Sequence, residues 1–207
     1  MANPQVDGVV ILGKAEFLNP GLSMKDRIVK HIFDNAEKSG QLRPNMTVVA
    51  ASSGNTGASV AMLSAIRGYK AVIVTNSKCS KEKCDAIRAY GADLMVVGPA
   101  VDYMQKEVDL AKENPEWFSV SQYDNLQNPL AHYLGTGAEI FQQTSGKVTH
   151  FVAGGTTGGT MSGVGRYLKE HVPNVKIIMA DPHGSIFYDY WKTQKISPSG
   201  KFGLGLW

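Results

Sequence analysis

Twice in this 207-residue chain an apolar run gives way to a stretch without bulky side chains and then opens into a helical pattern. The first stretch, Ser52-Ser53-Gly54-Asn55-Thr56-Gly57, follows Thr47-Val48-Val49-Ala50-Ala51 and precedes a helix closed by Gly68. The second, Gly154-Gly155-Thr156-Thr157-Gly158-Gly159-Thr160, follows His150-Phe151-Val152-Ala153 and precedes a helix from Met161 to Glu170. Strand, small turn, helix is the layout that aims backbone N–H groups and the positive helix end at an anion. In the second stretch three threonine hydroxyls add donors. It lacks the Gly-Lys-Ser/Thr ending of a nucleotide-triphosphate loop and an acidic residue spaced for a dinucleotide ribose, so a single small phosphate ester fits it best. In the first, Asn55 brings an amide able to donate to an aromatic hydroxyl or phenolate oxygen.

Between and around these junctions, period-2 and period-3.6 patterns alternate with regular punctuation, as in a parallel sheet covered on both faces. The pattern predicts strands at Val9 to Leu12 (or on to Leu18), Thr47 to Ala51, Ala71 to Thr75, Leu94 to Val97, Thr149 to Ala153 and Lys176 to Ala180. Helices are expected at Lys25 to Lys38, Gly57 to Arg67, Ser80 to Tyr90, Tyr103 to Glu113, Pro129 to Thr144 and Gly159 to Glu170. Gly40, Gly68, Gly91 and Gly146 stand where C-terminal caps belong. Lys195 to Gly200 is polar and reads as a loop.

A third motif, Asn19-Pro20-Gly21-Leu22-Ser23-Met24-Lys25-Asp26-Arg27, reads as a loop turning into a helix, with Ser23 offering a capping hydroxyl. Lys25 in the first turn sits against the positive end of the helix, which lowers its pKa and favours the neutral amine that a Schiff-base lysine needs. By itself such a lysine is more often a solvated shoulder residue; the two anion-facing junctions give it a partner.

Together, and in this order, the lysine, asparagine and glycine-threonine motifs resemble the fold-type II pyridoxal-phosphate enzymes, and within them the cysteine synthase and cystathionine β-synthase group. The resemblance runs from about Lys14 to Gly205 and includes Gln122-Tyr123, Asn128-Pro129-Leu130-Ala131-His132-Tyr133 and Asp181-Pro182-His183-Gly184-Ser185-Ile186. The last two stretches are more similar to cystathionine β-synthases than to bacterial cysteine synthases.

The resemblance implies an α/β fold of two parallel three-layer αβα domains of the tryptophan synthase β-subunit-like kind, the larger incomplete. Residues 47–127 would form the smaller domain, and 1–46 with 128–207 the larger. Lys25 would hold pyridoxal 5′-phosphate covalently and serve as the general base at Cα. Asn55 would bond the pyridoxal 3′ oxygen. Thr156, Thr157, Gly158, Gly159 and Thr160 would hold the phosphate, while Ser52, Ser53, Thr56 and Gln122 would take the substrate carboxylate. The implied reaction is β-replacement on serine or O-acetylserine with a thiol or sulfide as second substrate. The family also suggests a homodimer, or pairing with a homologous chain. The chain departs from the family in two positions. Leu22 replaces a glycine of the lysine loop, and Thr156 the first glycine of the phosphate loop, where a β-branched residue is costly only at positive φ. Relatives also begin earlier and continue beyond Trp207, which suggests a shortened member and leaves open a non-catalytic protein acting through association.

Composition adds exclusions. A net charge of +3 gives no argument for nucleic acid, and Lys78, Lys81 and Lys83 read as the solvated start of a helix. No run has the length of a membrane span, and Met1 to Gly8 carries no signal pattern, so a cytoplasmic protein is expected. Cys79 and Cys84 stand without partnering cysteines or histidines nearby, so partly buried thiols are expected rather than a disulfide or zinc site. The five histidines are scattered, and no metal site is expected.

Overall fold

Strand β1 (Thr47–Ala51) lies at the heart of the larger of two parallel sheets in the computed structural model, which describes residues 8–183 and 185–195. Its neighbours are β2 (Lys70–Asn76) and β4 (Trp117–Ser119), and β3 (Asp93–Val97) pairs beyond β2, giving the order β3-β2-β1-β4. Val49 faces Val72 across one ladder and Ser119 across the other. Alternate side chains leave a strand on opposite faces, and here the two sets enter separate cores. Val48, Ala50, Ala71 and Ile73 pack with α1 (Lys25–Lys38), α2 (Asn55–Arg67) and Ile87 of α3 (Lys81–Ala89). Val49, Ala51, Val72 and Val74 pack against Tyr103 and Leu110 of α4 (Tyr103–Glu113).

Helix α1 enters the first core through Ile28, Val29, Ile32, Phe33 and Ala36, the spacing of a single helix stripe. Truncating Phe33, which is fully buried, would leave a cavity costing about 3–5 kcal/mol.

Strands β5 (His150–Gly154) and β6 (Lys176–Ala180) form a second parallel pair. One face of this pair turns Phe151 and Ile177 toward Val164 and Leu168 of α7 (Gly159–His171) and Ile140 of α6 (Ala138–Gln143). On the other face Val152 and Ile178 stand opposite each other, 59% and 42% exposed. Helix α8 (Ile186–Thr193) follows, capped by Ser185, whose hydroxyl accepts from Phe187 N at 3.2 Å.

Most expected elements form within two residues of their expected ends, and all four expected capping glycines have positive φ. The N-terminal strand is a correction. Val9 to Leu12 forms no strand, Val10 and Leu12 are 81% and 70% exposed, and Glu16–Leu18 is a short 3-10 turn. β-branched residues favour a strand only when a neighbouring strand supplies the ladder. Instead Lys14 and Glu16 fasten the segment through ion pairs to Glu139 and Arg27. The helix expected from Pro129 to Thr144 is three pieces: α5 (Gln127–Ala131), a π-helical segment (His132–Gly137) and α6. The expectations for 1–7 and for 196–207 lie outside the described residues.

Candidate functional site

The lysine loop is shaped by three local bonds. Leu22 N donates to Asn19 O at 2.8 Å, closing a turn that holds Leu22 at φ 60, a left-handed conformation that glycine adopts freely. Its side chain points outward, 74% exposed, so the residue that departs from the family strains the backbone without filling the loop. Ser23 Oγ accepts from Lys25 N at 3.2 Å, but the cap position is Met24, which makes no side-chain capping bond, so Ser23 braces the entry to the helix from one residue before the cap. Asp26, buried, accepts from Gly21 N at 2.6 Å and from Ser59 Oγ at 2.5 Å, fastening the loop to α2. A Cβ on Gly21 would collide with that carboxylate. Lys25 has its pKa lowered, as expected, but the cause is burial of the ammonium rather than the helix end.

At the end of β1, Ser52 Oγ accepts from Gly54 N at 3.1 Å, and α2 begins at Asn55 with no side chain capping it. Asn55 is exposed, whereas Ser52 and Thr56 are buried. Thr56 gives its only proton to Gln122 Oε1 at 2.7 Å, and Gln122 Nε2 donates to Ala51 O at 2.9 Å. These two predicted carboxylate binders therefore meet each other, leaving one Gln122 N–H uncommitted.

The glycine-threonine turn supplies the second anion-facing end. Gly158, at φ 81, opens α7, which has no side-chain cap, and buried Gly159 lies so close to Asn128 that a Cβ would overlap its amide. Thr156 keeps negative φ, so its β-branch sits there without strain. Thr160 Oγ1 donates to Met24 Sδ at 3.2 Å, bringing this loop against the residue that precedes Lys25. Thr160 also lies 3.2 Å from His132 Nε2, while His132 Nδ1 is 3.0 Å from Thr136 Oγ1. His132 is 1% exposed, and burial, reinforced by the charges of Lys25 and Arg27, pushes its pKa down to about 4.

Two buried residues that were not among the expected site residues tie these loops together. Asn128 Nδ2 donates to Gln122 O at 2.9 Å and to Thr157 Oγ1 at 3.1 Å. Glu107, 2% exposed, accepts from Ala51 N at 2.7 Å, Ser121 N at 2.7 Å and Ser119 Oγ at 2.6 Å. Burial pushes the Glu107 carboxyl up, against the opposing pull of those bonds. Ser121, at φ 47, is held by Glu107 in the left-handed region one residue before Gln122. Asn128 had a signal, since Asn before Pro marks a helix start. Glu107 had none, because a glutamate in a helix normally faces water.

Glu107, Tyr123, Thr156, Thr157 and Phe187 line a cavity of about 380 Å³ beside the turn. Lys25, Asn55, Ser52 and Gln122 do not line it. The amides of an uncapped helix end and the threonine hydroxyls, with a desolvated lysine one residue from the Met24–Thr160 contact, form a donor set suited to a phosphate ester carrying an aldehyde. The residues present fit such a group. Among the described residues no cluster of metal-binding side chains occurs, and no helix is long and apolar enough to cross a membrane.

Comparison with known proteins agrees. The sequence matches the family described as pyridoxal-phosphate dependent enzyme over residues 2–202. It is 46% identical over 182 residues to a cystathionine beta-synthase of Apis mellifera, covering 85% of this chain and 36% of that protein. It is 42% identical over 176 residues to a cysteine synthase of Staphylococcus aureus, covering 83% of this chain and 56% of that one. Among solved structures, an O-ureido-L-serine synthase superposes with a TM-score of 0.81 at 34% identity, over 89% of this chain and 58% of the other. A hydrogen sulfide-producing enzyme of Fusobacterium nucleatum gives the same score at 35% identity, over 89% and 61%. The chain thus spans about a third of the first relative and a little over half of the others.

Proposed function

Because the chain belongs to the family of pyridoxal-phosphate-dependent enzymes, we propose that it catalyses β-replacement on serine or an O-acylated serine, with a thiol or sulfide as second substrate. Cystathionine formation stands ahead of cysteine formation, since the relatives most similar in sequence include cystathionine beta-synthases. The observation that carries the proposal is the contact of Thr160 with Met24, which brings the glycine-threonine turn against the residue preceding a lysine whose burial favours the neutral amine.

When bound, pyridoxal phosphate draws electrons from the Cα of an attached amino acid. The turn Thr156 to Thr160 would hold its phosphate, and Asn55 would donate to its ring oxygen. Lys25 would hold its aldehyde carbon and, once released, accept the Cα proton at Nζ. Ser52, Ser53 and the free Gln122 N–H would bind the substrate carboxylate, with Thr56 fixing the Gln122 amide. We assign residues 47–127 to a smaller lobe, with α1 packed into its core, and the remainder to a larger one, the site lying between them, in a cytoplasmic protein. The exposed Val152–Ile178 face favours association with a second copy or a homologous chain, and it also supports the alternative of a non-catalytic partner protein.

The test is chemical. Protein incubated with pyridoxal phosphate and reduced with borohydride should carry the label on the peptide containing Lys25, and Lys25→Ala should carry none. Protein that stays colourless with added cofactor would overturn the assignment in favour of the non-catalytic reading. Turnover of serine with homocysteine, set against O-acetylserine with sulfide, then separates the two reactions.

A further inference from the structure

The chain has two cysteines, and the fold places both at the head of α3. Ser80 is the cap of that helix: its Oγ accepts from Lys83 N at 3.4 Å, and its carbonyl accepts from Cys84 N at 3.0 Å. Cys79 is then the residue just before the cap and Cys84 the fourth residue of the helix. Those are the two positions whose side chains meet in a hydrophobic staple. Here both members of the staple are thiols. Cys84 Sγ reaches Cys79 O at 3.9 Å, and the two thiols are near enough for each to bear on the other's charge. Each is half-buried, packed enough to hold its place and open enough for a small reagent.

We propose that Cys79 and Cys84 are a modification site, forming a reversible intrachain disulfide in exchange with a low-molecular-weight disulfide. One protein thiol loses its proton, and its sulfur attacks the small disulfide, releasing one small thiolate and leaving a mixed disulfide on the chain. The second protein thiol, deprotonated in turn, attacks that protein sulfur and releases the other small thiolate. Two protein thiols are oxidised to one disulfide, one small disulfide is reduced to two thiols, and the protons pass to solvent and products. Burial and the neighbouring thiol push the Cys79 thiol up, so exchange accelerates as pH rises above neutral.

The bond would form against the asparagine loop. A Cβ placed on Gly54 would lie 3.5 Å from Lys83 Nζ, and one on Gly57 would lie 3.2 Å from Ile87 Cδ1, so α3 meets this loop through Lys83 in its first turn and Ile87 further along. Sequence spacing alone gave no reason to pair the two thiols; the capped helix start does. The inference stands apart from the proposed reaction and needs no cofactor to test.

Fully reduced protein would be incubated with oxidised glutathione and followed by intact mass and non-reducing peptide mapping. The expected product is lighter by two hydrogens, carries no glutathione, shows one bridge between Cys79 and Cys84, and reverts with dithiothreitol. Cys79→Ser and Cys84→Ser should each stop with one glutathione retained. Closure in the native protein should outpace closure in urea by about tenfold, because the fold pre-positions the sulfurs. Wild-type protein that keeps glutathione on both cysteines, that stays fully reduced, or that closes no faster than the urea-unfolded chain would overturn the proposal.

Discussion

Leu22 carries the clearest local penalty in the described chain. A leucine at φ 60 costs roughly 1–2 kcal/mol against glycine in the folded state, and its exposed side chain recovers little of that by packing. Glycine in turn costs more entropy to order, about 0.5–1 kcal/mol. Leu22→Gly is therefore expected to raise stability by about 0.5–1 kcal/mol, read as a higher urea midpoint at unchanged slope. Glu107 works in the opposite sense. Its carboxylate answers two backbone N–H groups and a hydroxyl that are otherwise cut off from water, and Glu107→Ala strands all three. The expected loss is about 3 kcal/mol, with Glu107→Gln losing less because one oxygen can still serve Ser119 and Ser121. Equal urea midpoints for wild type and Glu107→Ala would contradict the role.

At the scale of elements, the interrupted helix over 127–143 is where a simple periodicity fails. Asn128-Pro129 marks its start and the apolar spacing its length, yet nothing in the pattern announces that His132–Gly137 widens to a π turn. The widening accompanies an imidazole placed between two threonines, and π turns recur where a side chain must be aimed at a site. That imidazole gives a pH signature. Unfolded, it binds a proton near 6.5; folded, it refuses one until about 4. Between those values the unfolded chain binds more protons, so stability falls as pH drops from 6.5 to 4 and is fully present above 6.5. The change attributable to His132 is about 3 kcal/mol, and it should vanish from the stability–pH profile of His132→Asn. Elements with strong punctuation were legible: β1, β6, α1 and α4 have the ends their sequence predicts. Strand β4 was not, because Trp117–Ser119 is three half-buried residues with no alternation to read. Val9 to Leu12 misled for the converse reason, since apolar β-branched residues read as a strand whether or not a neighbour exists to pair with them. The anion-facing turns were plain in sequence because glycine and threonine runs have few other uses, whereas Asp26, Glu107 and Asn128 act through distant partners that no local pattern reveals.

The molecule as a whole divides its apolar surface unevenly. The four-stranded sheet is covered on both faces, as parallel sheets ordinarily are, but among the described residues the β5–β6 pair is covered on one. Val152 and Ile178 present the other face to solvent as a matched pair. Sedimentation velocity should find wild-type protein associating with rising concentration, and Val152→Glu should weaken that association by roughly tenfold or more. Concentration-independent monomers of wild type would rule out this face as the contact.

Asn128 reaches in two directions, to the backbone beside the Gln122 amide and to the hydroxyl of Thr157. One small side chain thus reports to two loops, and any displacement on either hand is felt on the other. Thermodynamic linkage makes such traffic symmetrical: whatever an occupant of one loop does for the grip of its neighbour, the neighbour returns in equal measure.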